Sequence, residues 1–176
     1  QVAGAINLPM RVIGLVPATE NMPSGTATHP GDIVTAINGV TIEVINTDAE
    51  GRLILADALA YAQQYNPAAV IDIATLTGGI VVALGHYTTG VFATDDALWE
   101  TIFAAGDGAG EPMWRMPLDP DYDRQISTPF ADVKNTGGRY ASSVTAARFL
   151  SNFVGEHPWA HMDIAGTNWW EADITY

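Results

Sequence analysis

Apolar positions along the chain fall into short β-branched runs alternating with longer stretches of helical spacing. Residues 10–16 (MRVIGLV) are a short apolar run that predicts a buried strand. A loop rich in Pro, Gly, Asn and Ser follows at residues 17–31. Residues 32–44 (DIVTAINGVTIEV) then place two short strand patterns around Asn38-Gly39, which predicts a hairpin with a type I′ turn. A polar loop at residues 46–51 (NTDAEG) leads into a helix, in which Leu53, Ala56, Leu59, Ala60 and Ala62 recur at helical spacing until Asn66-Pro67. Residues 70–74 form a continuous apolar strand broken only by Asp72, and residues 75–79 (TLTGG) are the loop at its C-terminal end. Another helix, a strand at residues 90–93 and a helix at residues 97–105 follow. Residues 106–135 are punctuated by Pro112, Pro117, Pro120 and Pro129 and read as irregular. A helix is predicted from residue 142 to 154, with Val144, Ala147, Phe149, Leu150 and Phe153 buried, and a last strand at residues 159–165 (WAHMDIA). Strands alternating with helices predict an α/β fold with a mostly parallel central sheet and helices on both faces.

The composition narrows the function classes. With 48% hydrophobic residues, 176 residues can bury a sizeable core. A formal net charge of -13 argues against nucleic acid or an anionic membrane as partner, since both need basic surface. No cysteine is present, so disulfides and thiolate metal sites are excluded; the compartment is left open with a lean to the cytoplasm. The chain opens on Gln1 rather than Met, and residues 1–6 read as the end of a helix already under way, which suggests a fragment or a processed product.

In open α/β sheets, sites gather in loops at the C-terminal ends of strands, which singles out two loops. The first carries Asp48, Glu50 and Arg52 at alternate positions beside a helix start. Carboxylates two apart can aim at one hard cation or bridge two, and a nearby arginine can hold an anion or a polarised carbonyl. Ordinary helix capping by the acidic residues is the alternative. The second loop, Thr75-Leu-Thr-Gly78-Gly, offers backbone groups with little side-chain obstruction to an approaching peptide; here the alternative is a helix N-cap made by Thr77. His157 and His161 are four apart, but Pro158 and a strand pattern deny them the helix that a metal pair at that spacing requires. The glycines of residues 106–110 have no preceding strand to make a phosphate loop, and Ser142-Ser143 has no neighbouring base that would mark a nucleophile.

The octapeptide Asn46-Thr-Asp-Ala-Glu-Gly-Arg-Leu53 resembles the signature of the leucine aminopeptidase (cytosol aminopeptidase) family. Residues 14–25 (GLVPATENMPSG), 30–32 (PGD), 72–78 (DIATLTG) and 159–166 (WAHMDIAG) are similar to that family in the same order along the chain. The resemblance implies that residues 1–176 are part of a peptidase domain that releases N-terminal, leucine-like residues from peptides. It implies Asp48 and Glu50 as ligands of two divalent metal ions, zinc or manganese, and Arg52 as the residue holding a bicarbonate that shuttles the proton. It further implies Thr75, Leu76 and Gly78 as contacts for the peptide backbone, Ala165 as part of the side-chain pocket, and a cytoplasmic hexamer. Two metal ions would lower the pKa of a bridging water, polarise the scissile carbonyl and anchor the free amine.

The family's further metal ligands, a lysine and two aspartates, and a catalytic lysine lie upstream of the stretch matching residues 14–25. The only lysine here, Lys134, is far downstream. The upstream part of the domain and an N-terminal domain are therefore expected to be missing, the chain alone to be inactive, and an uncovered apolar face to promote self-association. Two other functions compete. Residues 30–39 also look like the strand and turn of a PDZ domain, which binds peptides by edge-strand addition. A non-catalytic family member kept for assembly would tolerate the missing lysines.

Overall fold

A computed structural model of the chain describes residues 5, 6 and 8–168; most of the helix end expected at residues 1–6 lies outside them. Two sheets are present among the described residues. The smaller contains β1 (Ile33–Thr35), β2 (Thr41–Glu43) and β6 (Val133–Lys134), in the order β1-β2-β6. The larger contains β3 (Val70–Ala74), β4 (Thr89–Ala93), β5 (Met113–Arg115) and β7 (Trp159–Asp163), in the order β3-β7-β4-β5. Among the described residues, four α-helices lie between these strands: α1 (Glu50–Ala62), α2 (Gly78–Leu84), α3 (Asp96–Ala109) and α4 (Ser142–Ser151).

The α/β class is as expected, but the sheets are mixed. Parallel pairings join β2 to β6, β3 to β7 and β4 to β5, whereas β1–β2 and β4–β7 are antiparallel. Helices do cover both faces of the larger sheet, and the two-residue alternation of its strands shows why. On β7, Trp159 and His161 face one side, where Phe92 of β4 and Ile80 of α2 complete a core with α1 and α4. Ala160 and Met162 face the other, with Val91, Ala93 and Ile102 of α3. Helix α4 is buried on most of its circumference, and all of Val144, Ala147, Phe149, Leu150 and Phe153 enter the core. The same core takes in Ile42 and Val133 of the smaller sheet, so one apolar body joins the two sheets.

Four expectations are corrected. Residues 10–16 form no strand; the run is exposed, with Val16 87% accessible. An apolar run becomes a strand only when another strand accepts from its N–H groups and donates to its C=O groups, and no described strand does so here. The hairpin at residues 32–44 forms, but its turn is not type I′. The Gly39 N–H bonds Ala36 O at 2.8 Å and the Ala36 N–H bonds Val40 O at 2.9 Å. Gly39 alone takes a positive φ, +91°, and Asn38 does not. That is a three-residue loop with glycine in the left-handed position. The loop drawn as residues 46–51 ends earlier, because α1 begins at Glu50. The glycine-rich residues 106–110 belong to the end of α3 and its cap, where a Cβ on Gly106 would come 2.8 Å from Glu111 O.

Candidate active site

The octapeptide lies where the smaller sheet passes into α1. Asp48 is exposed in the turn before the helix, its own N–H held by Asn46 Oδ1 at 3.0 Å. Glu50 opens the helix, half-buried, and Arg52 is buried two residues further in. The N-cap is Ala49, with no side-chain hydrogen bond, but Glu50 stands in the first turn, where its charge favours the helix dipole as the capping alternative held. Glu50 also lines a cleft of about 830 Å³ between residues 19–28, the hairpin and α1.

Arg52 is the most unusual group of the site. Its side chain is 8% accessible, and Nη1 donates to Asn135 O at 2.6 Å, a neutral carbonyl. Its buried Nε has no partner. Burial pushes the guanidinium pKa down, while the negative charge of Asp163 pushes it back up. A buried cation that meets a carbonyl and leaves an N–H unpaired fits an anion as its remaining partner.

Asn135 was not singled out by any pattern in the sequence, yet it builds this corner. It is fully buried; Oδ1 accepts the N–H groups of Ile45 (2.9 Å) and Asn46 (3.2 Å), and Nδ2 donates to Asn46 O at 2.7 Å. Its backbone N–H bonds Glu43 O at 3.0 Å, which ties it to β2. One side chain thus fixes the backbone entering the octapeptide, and the same residue's carbonyl orients Arg52.

The second loop, residues 75–78, runs from β3 into α2 beside the first, since a Cβ on Gly51 would lie 3.9 Å from the Leu76 side chain. Thr77 is the N-cap of α2, its Oγ1 accepting from Ile80 N–H at 3.2 Å, as the capping alternative held. Thr75 and Gly78 are exposed and Leu76 is half-buried. Ala165 follows β7, half-buried, and packs against the same core as Leu76. Asp163 holds these pieces together by accepting hydrogen bonds from Leu76, Thr77 and Ala165. The only sequence signal for it was an acidic residue ending an otherwise buried strand. The structure therefore brings Leu76, Thr77 and Ala165 together on Asp163, with Gly51 of the octapeptide beside Leu76, while the cleft that Glu50 lines includes none of residues 75–78 and 165.

The histidines stay structural. His161 is buried in β7, with Nδ1 2.6 Å from Asp72 Oδ1, and Asp72 Oδ2 accepts the Trp159 indole N–H at 2.7 Å. His86 Nδ1 lies 3.0 Å from Gly166 O. Among the described residues no group of three or more His, Cys, Asp or Glu side chains could hold a metal ion. Asp48 and Glu50 are hard oxygen donors of the right chemistry, but two carboxylates make only part of the shell a divalent ion takes.

The whole chain, residues 1–176, matches the model of the cytosol aminopeptidase family, catalytic domain, and the chain belongs to that family. It is 60% identical over 164 residues to a probable cytosol aminopeptidase of Paraburkholderia xenovorans (strain LB400), covering 93% of this chain and 32% of that protein. A probable cytosol aminopeptidase of Burkholderia mallei (strain SAVP1) is 58% identical, with 93% of this chain and 33% of that protein covered. Among solved structures, a mutant of tomato leucine aminopeptidase is similar with a TM-score of 0.85 and 48% identity, over 88% of this chain and 31% of that chain. The chain thus spans about a third of the length of the curated relatives it matches.

Proposed function

We propose that the chain supplies one part of the active site of a metal-dependent aminopeptidase that releases leucine-like residues from the N-termini of peptides. The observation that carries this reading is the convergence of Leu76, Thr77 and Ala165 on Asp163 beside Gly51 of the octapeptide, whose neighbour Arg52 is buried with an unpaired N–H. Asp48 and Glu50 would hold divalent metal, zinc or manganese, as two ligands of a larger set. Such ions, when bound, would activate water and polarise the scissile carbonyl. Arg52 would hold bicarbonate through the N–H that has no protein partner. The exposed backbone of Thr75 and Gly78 would pair with the peptide, and Leu76 and Ala165 would shape an apolar pocket. One methylene in such a pocket is worth only ~1–3 kcal/mol, so the side-chain preference is broad.

Because the described residues complete no metal shell, the 176-residue chain alone is inactive in this reading, and the working enzyme is a cytoplasmic hexamer of a longer polypeptide. Against a PDZ-like module stands the path of the chain: β2 leads into α1 and the octapeptide instead of a carboxylate-binding loop. No described helix is long and apolar enough to cross a membrane. The test is hydrolysis of leucine p-nitroanilide with Mn²⁺ or Zn²⁺ and bicarbonate, beside a Glu50→Ala control, first with this chain and then with a longer form. Turnover by a longer form that disappears in the control supports the reading. Turnover that survives Glu50→Ala would remove the octapeptide from the metal site.

A further inference from the structure

The stretches read as substrate contacts, residues 75–78 and Ala165, lie far apart in sequence and converge on one carboxylate. Asp163 is 1% accessible. Its Oδ1 accepts the N–H groups of Leu76 at 3.1 Å, Ala165 at 3.3 Å and Thr77 at 3.4 Å. Its Oδ2 accepts the Thr77 hydroxyl at 2.6 Å. Four donors on one side chain need an acceptor-only group, which an ionised carboxylate is and a carboxamide is not. The far side of the Ala165 stretch is also fixed. Gly166 packs so closely on Gly85 O that a Cβ there would collide, and Gly166 O faces His86 Nδ1. The spacing between the two stretches is therefore set from Asp163.

We propose that Asp163 is a positioning residue: it locks the loop of residues 75–78 against Ala165, and so sets the width of the side-chain pocket and the preference for leucine-like over smaller residues. This rests on the reading of those stretches as substrate contacts. Asp163 touches neither metal nor the scissile bond in that reading; it acts through the residues it holds. Its charge also makes it the counterweight to buried Arg52, which links the pocket to the anion corner.

Asp163→Asn tests the idea with little change of shape. The amide oxygen can still take Leu76 and Ala165, but the amide nitrogen now faces Thr77 Oγ1, which already accepts from Ile80 and loses its own acceptor. Amide hydrogen exchange in this chain gives the first arm. Faster exchange at Leu76, Thr77 and Ala165, with the β7 amides of Ala160 and Met162 unchanged, supports the proposal; unchanged exchange at all three overturns it. The second arm uses whichever form of the protein turns over leucine p-nitroanilide. There the leucine-to-alanine ratio of kcat/KM should fall about tenfold, through KM more than kcat, with Asp163→Glu recovering less than wild type. An unchanged ratio overturns the proposal. If no form turns over the substrate, the functional reading fails, and the exchange arm still decides whether Asp163 fixes the two stretches.

Discussion

Residues 10–16 and the strand β4 begin from similar material and end in opposite places. MRVIGLV is at least as apolar and β-branched as TGVFA, yet every residue of β4 is buried and every residue of the earlier run is exposed. The difference lies in what surrounds them. Strand β4 has β7 on one edge and β5 on the other, with Ile80 of α2 pressed so closely on Gly90 that a Cβ there would collide. The earlier run has only scattered contacts, such as Arg11 over the Tyr65 ring at 5.6 Å. A strand's free energy comes mostly from its neighbours, because its hydrogen bonds and much of its packing are supplied by chain distant in sequence.

The comparison is sharpened most by cutting into the buried side. Trp159 is fully buried in the main core, its ring stacks on His161, and its indole N–H is satisfied by Asp72. Trp159→Ala should cost about 3–5 kcal/mol, from the lost transfer term plus the cavity left behind. Urea unfolding followed by far-UV circular dichroism measures it. A loss below about 1 kcal/mol would mean that β7 is not the centre of the cooperative unit.

A smaller loss is expected where polar rather than apolar burial holds the structure. Asn135→Ala strands the N–H groups of Ile45 and Asn46 and the carbonyl of Asn46, which should cost about 1–3 kcal/mol. The same denaturation experiment reads it. Asn135 also marks the boundary of what the sequence made legible. Helices α1 and α4 were readable because helical periodicity is local, and the hairpin was readable because Asn38-Gly39 is local. The octapeptide was readable as chemistry because Asp48, Glu50 and Arg52 lie within five residues. Asn135 sits in an irregular stretch and acts on residues some 90 positions earlier, so nothing in its neighbourhood announces it. Asp163 was inside a recognised stretch, but its role depends on the registry of β7 with β3, which periodicity does not specify. The antiparallel pairing of β4 with β7 escaped for the same reason.

Arg52 should behave differently from both. Its burial is costly throughout the working pH range. The guanidinium stays charged in folded and unfolded chain alike, and its lowered folded pKa means the charged form is disfavoured by folding. Arg52→Met removes that penalty and also removes the hydrogen bond to Asn135 O, so stability should change by no more than about 1 kcal/mol. Turnover in an active form should nevertheless fall about 100-fold or more. A large loss of stability instead would make Arg52 part of the scaffold.

Asp132 gives a smaller, pH-dependent effect at the edge of the smaller sheet. The Thr41 hydroxyl, and after it the Thr41 N–H, hold this exposed carboxyl below the usual carboxylate range. A depressed folded pKa contributes stability that is present above the unfolded value and is lost as pH falls through the folded one. Wild type should therefore lose slightly more stability than Asp132→Asn between about pH 6 and pH 3. Equal acid sensitivity in the two proteins would remove the Thr41 contact from the stability of the sheet.

The smallest effect is the most informative about the opening comparison. Val12→Ala should alter unfolding free energy by less than about 0.5 kcal/mol, because Val12 is 59% accessible and buries little apolar surface. Val91→Ala, the same change in β4, removes two methyl groups from a fully buried site and should cost about 1–2 kcal/mol. Limited proteolysis should agree by cutting first within residues 8–28, whose backbone lacks the sheet and helix hydrogen bonds that protect β4 and β7. If Val12→Ala in a longer form of the protein costs as much as Val91→Ala, the run has found a sheet to join there. The two runs would then differ only in the partner each is given, and the strand expected from the pattern at residues 10–16 would be real in that setting.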